Sequence, residues 1–214
     1  MIDFRVVLGP DYAGKSTALS VLAAESGWRV VSVDEQFLDA RHRLLATLRR
    51  HLVDDVLAAE PGTYSREFAI GLMQCAVVYL RDRIAEVEPG TRVLVDSYYY
   101  KMLAKWRVVG VADDHPLLAW WRSLPQPRQV IYLDVDPETA WHRSGRGTQL
   151  NPLEYHRDSI PDHRYSSFVS YQRALREAMF DEIGALPVHV VRQRSGIGAT
   201  AAAIRKVLRD NDDC

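Results

Sequence analysis

The sequence predicts an α/β fold, a three-layer αβα sandwich around a five-stranded parallel sheet. Three observations carry this. Short apolar, β-branched runs alternate with helical stretches along the whole chain. A glycine-containing segment, GPDYAGKST at residues 9–17, sits between the first such run and the first helical stripe. Three of the runs end on an aspartate, Asp34, Asp96 and Asp134, at the strand ends where parallel sheets build their sites.

The first strand is Phe4-Arg5-Val6-Val7-Leu8. The helix after the glycine segment shows its apolar stripe in Ala18, Leu19, Val21, Leu22 and Ala23 and stops near Gly27. Trp28 to Val33 reads as the second strand. Residues 36–59 are expected to be one helix, buried through Leu44, Leu45, Leu48, Leu52, Val53 and Val56. Pro61-Gly62 interrupts the pattern. Thr63 is expected to cap a long helix over 64–87, with Glu67 near a capping-box position, and Pro89-Gly90 ends it. Arg92 to Val95 is the third strand. Residues 98–123 read as mixed and largely helical, with Trp106, Trp120 and Trp121 packing inward. The fourth strand is Gln129 to Leu133, and Pro137 opens a helix at its first turn. The polar stretch that follows, with Gly145 and Gly147, reads as a lid over about 144–158. A helix over about 162–183, a strand at Val188–Val191 and a helix from Ala199 to Leu208 complete a single domain of residues 1–214.

GPDYAGKST matches G-x-x-x-x-G-K-[ST], and the strand before it and helix after it are the context that pattern needs. In that geometry Gly9 and Gly14 let the backbone turn, and N–H groups from Tyr12 to Ser16 face a phosphate at the positive end of a helix. Asp11, Tyr12, Ala13 and Thr17 complete the loop. Lys15 would reach the β- and γ-phosphates and Ser16 would ligate Mg²⁺. The expected cofactors are therefore ATP and Mg²⁺, with Asp96 a second metal or acceptor-orienting candidate. The alternative for Asp34, Asp96 and Asp134 is a plain helix cap or turn.

Composition bounds the rest. The chain has 214 residues, 47% hydrophobic, with a net charge of −1, so a broad nucleic-acid-binding surface is not expected. Of its 27 Lys and Arg, only Lys15, Lys101, Lys105 and Lys206 are lysine. The two cysteines, Cys75 and the terminal Cys214, suggest no structural disulfide and a reducing, cytoplasmic setting. The first strand starts at once, leaving no room for a signal peptide, and no apolar run is long enough to span a membrane.

Together GPDYAGKST, VDSYYY (95–100) and VIYLDVDPETAWHRSGRG (130–147) resemble the thymidylate kinase and deoxynucleoside kinase superfamily of P-loop kinases. The order of elements agrees over essentially the whole chain. The resemblance implies the P-loop NTPase fold with a helical lid, a nucleoside or nucleoside monophosphate as acceptor, and usually a homodimer packed through long helices. Asn151-Pro152-Leu153-Glu154-Tyr155 is similar to the nucleoside-kinase segment after the lid, where the Glu contacts the sugar. Met73-Gln74, with Arg81 further along, resembles the base-reading helix, where Gln holds the base edge. The chain departs from the family at Asp96-Ser97, where an Arg usually follows the acidic residue. Lys101, one helical turn on, is its candidate replacement. It also has Gly71 or Leu72, and Gln74 or Cys75, where thymidylate kinases carry Phe and Arg.

Phosphoryl transfer asks for alignment and charge neutralisation more than covalent help. Arg143 and Arg146 are the candidates to hold the moving group. Asp34 or Glu35 is the candidate base for a hydroxyl acceptor, whereas a phosphate acceptor needs none. Tyr98, with Tyr99 and Tyr100, would stack on a base or pack. Two other classes stay open: a kinase of a non-nucleotide small alcohol, and an ATPase or switch protein.

Overall fold

Strand alternation and helix periodicity produce the expected sandwich. The computed structural model describes residues 3–156, 163–192 and 196–210. Five parallel strands, β1 (Phe4–Leu8), β2 (Arg29–Val31), β3 (Val93–Asp96), β4 (Gln129–Asp134) and β5 (Val188–Arg192), lie in the order β2-β3-β1-β4-β5. Register pairs Val6 with Val95 on one side and with Val130 on the other. The chain runs outward from β1 to β2 on one side, then crosses to β4 on the other. The carboxyl end of β1 is thus a switch point, where a crevice forms.

Successive side chains on a strand face opposite layers. Phe4, Val6, Leu8, Val93 and Val95 pack with α3 (Arg66–Ala85), α4 (Tyr100–Val108), α5 (Pro116–Arg122) and α7 (Arg164–Ile183). Val7, Leu94, Ile131 and Leu133 pack on the other face with α1 (Lys15–Ser26) and α8 (Ile197–Asp210). No described helix is long and apolar enough to cross a membrane.

Two expectations about local structure are corrected, and the mixed helical stretch 98–123 is resolved into its parts. Residues 36–59 do not form one helix: 3₁₀ turns at Glu35–Phe37 and Ala40–His42 lead into α2 (Arg43–His51), which continues as a π-helical segment, Leu52–Leu57. Leu45 and Leu52 are buried on the inner face, but Leu44, about 100° around the helix, is 68% exposed. The wider π turn then brings Val56 and Leu57 inward as well. The long helix is capped by Ser65, whose Oγ accepts from Phe68 N at 3.0 Å, so Thr63 is not its cap. Glu67 falls in the first turn, one residue short of the capping-box position. Residues 98–123 divide into α4 and α5, because Gly110 turns in the left-handed region and Pro116 starts a new helix capped by His115.

Trp121 is fully buried between α3 and the sheet layer. Trp121→Ala is expected to lower stability by about 3–5 kcal/mol, the usual cost of emptying a large aromatic site. Urea unfolding should show a lower midpoint with an unchanged slope.

Candidate active site

β1 delivers the chain into the crevice at Gly9. A side chain is excluded there, because a Cβ would sit 2.7 Å from the Leu133 carbonyl oxygen on β4. Gly14, left-handed at φ 83°, precedes α1, and no side chain caps that helix. The first-turn N–H groups of α1 therefore face the loop, with the helix dipole behind them. Lys15 does not extend into solvent. It is buried, and its Nζ donates to the Gly9 and Pro10 carbonyls at 3.3 and 3.1 Å.

Two carboxylates close one side. Ser16 Oγ donates to Asp34 at 2.9 Å. Ser32 Oγ donates to Asp96 at 3.1 Å and Ser97 Oγ at 2.9 Å. Ser97 and Tyr98 both have left-handed φ, 60° and 46°, strain stored where β3 turns under the site. Ser16, Asp34 and Asp96 are hard oxygen donors lining one cavity. They suit Mg²⁺, which binds through one or two carboxylates and keeps water and substrate phosphates as its other ligands.

A second charge cluster lies opposite. Asp11, in the loop, is buried with its carboxylate 2.6 Å from Lys101 Nζ and 3.1 Å from Lys105 Nζ. These lysines are one turn apart on α4 and share a face. Gln172 of α7 donates to the same carboxylate and accepts from Asp11 N, both at 3.3 Å. Burial would raise the Asp11 pKa, but Lys101, Lys105 and Lys15 outweigh it and hold the carboxyl well below the usual range. Burial, with Lys15 nearby, brings Lys101 down to about 8, against the opposing pull of Asp11.

The lid segment is tied to the loop. The Tyr12 hydroxyl lies 2.7 Å from the Gln149 carbonyl oxygen and 2.9 Å from the Glu154 carboxylate. Glu154 is buried and also accepts from Asn151 N at 3.1 Å. Burial and then Asp11 raise its pKa, and burial and then Glu154 raise that of Tyr12. Arg143, at the end of α6 (Pro137–Arg143), donates to the Tyr12 carbonyl at 3.2 Å. Residues 157 and 158 of the expected lid lie outside the described residues.

Most of these groups surround a cavity of about 570 Å³, whose lining leaves out Gly9 and Arg143. Of the sequence candidates, Asp11, Tyr12, Ala13, Gly14, Lys15, Ser16, Thr17, Asp34, Asp96, Lys101 and Glu154 line it. Others do not. Gln74 turns away, its side-chain oxygen accepting from the Trp121 indole N–H, so the expected base-reading position is a packing position. Arg81 pairs with Asp82 and lies over Trp120. Tyr98 is wholly buried, edge-on to Phe4. Glu35 and Arg146 are exposed outside the cavity. Sequence reasoning missed Lys105, although its spacing from Lys101 in a chain with four lysines was a usable signal. It also missed the aliphatic wall formed by Leu48, Leu52 and Val53 with Leu72, Met73 and Met102.

No family model matches the sequence, and no curated protein matches it. Solved structures do. Thymidylate kinase from Candida albicans aligns at TM-score 0.62 and 16% identity, over 98% of this chain and 92% of that one. Deoxyadenosine kinase from M. mycoides with bound dATP aligns at 0.59 and 13%, over 96% and 99%. The same enzyme with dCMP and dCDP aligns at 0.65 and 14%, over 97% and 99%. The chain has the fold of the thymidylate and deoxynucleoside kinases.

Two outcomes are expected from this geometry. Gln74→Ala orphans the Trp121 N–H and should cost about 1–3 kcal/mol of stability by urea unfolding. Asp11→Asn leaves two buried ammonium groups without their counter-charge and should cost about 3–5 kcal/mol. Asp11 has a folded pKa below its unfolded value, so its contribution is present above about pH 4 and lost as pH falls further. Wild type should therefore lose more stability than Asp11→Asn when unfolding is compared at pH 7 and pH 3.

Proposed function

We propose that the chain is an ATP-dependent phosphotransferase of the nucleotide and nucleoside kinase type. The observation that carries this is the loop Gly9–Thr17, with Lys15 and the Ser16–Asp34 pair at the switch point of a parallel sheet. The loop N–H groups and the α1 dipole would bind the β- and γ-phosphates. Lys15 would exchange its two loop carbonyls for phosphate oxygens. Ser16, with Asp34 and Asp96, would hold Mg²⁺, which when bound neutralises phosphate charge. Arg143, already against the loop, is the guanidinium proposed to meet the transferring group, and Arg146 would need the lid to move. Closure of the lid, with Tyr12 as its contact to the loop, would exclude water. A cytoplasmic homodimer belongs to the same reading.

The neighbours' substrates make a nucleoside or nucleoside monophosphate the first acceptor class to test. A second reading, a non-nucleotide acceptor, is favoured by Gln74, which faces Trp121 instead of the cavity. Either way an ionised acceptor suits the site better than a hydroxyl. Glu35 is outside the cavity, and Asp34, which lines it, serves in this reading as a Mg²⁺ ligand with Ser16 and not as a base.

Lys15→Ala should abolish phosphoryl transfer, a loss on the order of 3–4 kcal/mol in barrier, while circular dichroism and oligomeric state stay unchanged. The check is ADP release with a nucleoside, nucleoside monophosphate and small-alcohol panel. Near wild-type turnover in the variant would end this reading.

A further inference from the structure

The lysines are distributed in a way that composition does not explain. The chain uses arginine almost throughout, yet three of its four lysines, Lys15, Lys101 and Lys105, line one cavity. Lys15 belongs to the loop. Lys101 and Lys105 are a separate pair on α4, Lys105 buried and Lys101 with a 12% exposed side chain, sharing the carboxylate of Asp11. Lys15, Lys101 and Lys105 meet Asp11 and Glu154 here, three ammonium groups against two carboxylates, beside the place where the γ-phosphate must arrive. A compact ammonium is the form of cation that fits between a helix face and a phosphate without the width of a guanidinium.

The wall beyond that pair has a different chemistry. Leu48 on α2, Leu52 and Val53 on the π turn, Leu72 and Met73 on α3 and Met102 on α4 line it. These six side chains carry no amide and no aromatic ring; the amides and ring that line the cavity, Gln149, Asn151 and Tyr12, come from the loop and the segment after α6, while Gln74 is held by Trp121 and Tyr98 to Tyr100 are buried in the core. The polar side chain on this side is Arg49, exposed at the mouth. A nucleobase brings hydrogen-bonding edges that such a wall leaves unpaired, at a cost for each. A hydrocarbon body brings none.

Resting on the phosphotransferase reading above, we propose that the acceptor is a phosphate monoester with an aliphatic body. Lys101 and Lys105 hold its phosphate, and the body lies against the wall from Leu48 to Met102. Asp11 remains between the lysines as their shared counter-charge. In the reaction a monoester oxygen forms a bond to the γ-phosphorus of ATP while the bond from that phosphorus to the β,γ-bridging oxygen breaks. ADP leaves and an alkyl diphosphate remains. The monoester is already ionised near neutral pH, so no protein group has to accept a proton.

The test is a calorimetric titration of the full chain with methyl, butyl and hexyl phosphate and with thymidine monophosphate, with and without Mg²⁺ and a non-hydrolysable ATP analogue. Affinity should rise roughly three- to fourfold per methylene from methyl to hexyl phosphate, as expected for burying hydrocarbon. Hexyl phosphate should bind more tightly than thymidine monophosphate. Lys105→Gln should weaken every member of the series by a similar factor, roughly tenfold to a hundredfold. Leu48→Asn, at a half-buried position where folding is least at risk, should flatten the chain-length slope and spare methyl phosphate. A flat series in wild type, or thymidine monophosphate binding more tightly than hexyl phosphate, overturns the proposal. Failure of the ATP analogue to bind would instead remove the phosphotransferase reading, and the chain-length slope would still decide what the cavity accepts.

Discussion

Asp11 is the residue on which the arrangement depends. A buried ammonium without a counter-charge costs several kcal/mol, and here two of them meet one carboxylate. That requirement fixes the phosphate loop to α4. Gln172 binds Asp11 through both its backbone N–H and its carboxylate, which adds α7 to the same joint. Gln172 Nε2 also donates to the Glu154 carbonyl, and Tyr12 reaches Gln149 and Glu154, so the lid segment is held from two sides. The loop, α4, α7 and the segment after α6 are therefore positioned by one connected polar network in a low-dielectric interior, where satisfied partners specify geometry strongly.

The consequence is a cavity divided by chemistry. Asp34 and Asp96 stand on one side with their serine partners, and Lys15, Lys101 and Lys105 on the other. Aliphatic side chains from α2 and its π-helical continuation, α3 and α4 form another wall. Such a division suits a reaction in which phosphates and metal meet at a polar end and a body without hydrogen-bonding edges is held at an apolar one. Left-handed Tyr12, Ser97 and Tyr98 mark where the backbone is bent to bring the halves together.

The fold was legible because its signals are local and mutually consistent. Strand runs, Pro137 at a helix start and the GPDYAGKST loop each point to the same parallel sheet. The region after β2 was not legible. A stretch rich in leucine reads as one continuous helix, whereas two 3₁₀ turns and a π segment rotate its face and expose Leu44. The loop side of the site was also readable, since motif spacing places Lys15 and Ser16 without knowledge of tertiary contacts. The acceptor side was not, because Gln74 is one residue from Met73, and a 100° rotation decides which of them meets the cavity and which meets Trp121. Lys105, four residues from Lys101 in a chain with four lysines, could have been read from its spacing, and helix α4 sets the two side by side.

The central claim is that this cavity passes a phosphoryl group from ATP to a second molecule. Following the γ-phosphate of labelled ATP tests it most directly. With Mg²⁺ and the acceptor that best stimulates ADP release, label should appear in that acceptor in step with ADP, and little should appear as inorganic phosphate. Label accumulating as inorganic phosphate at the same rate with and without any acceptor would contradict the account and make the chain an ATPase.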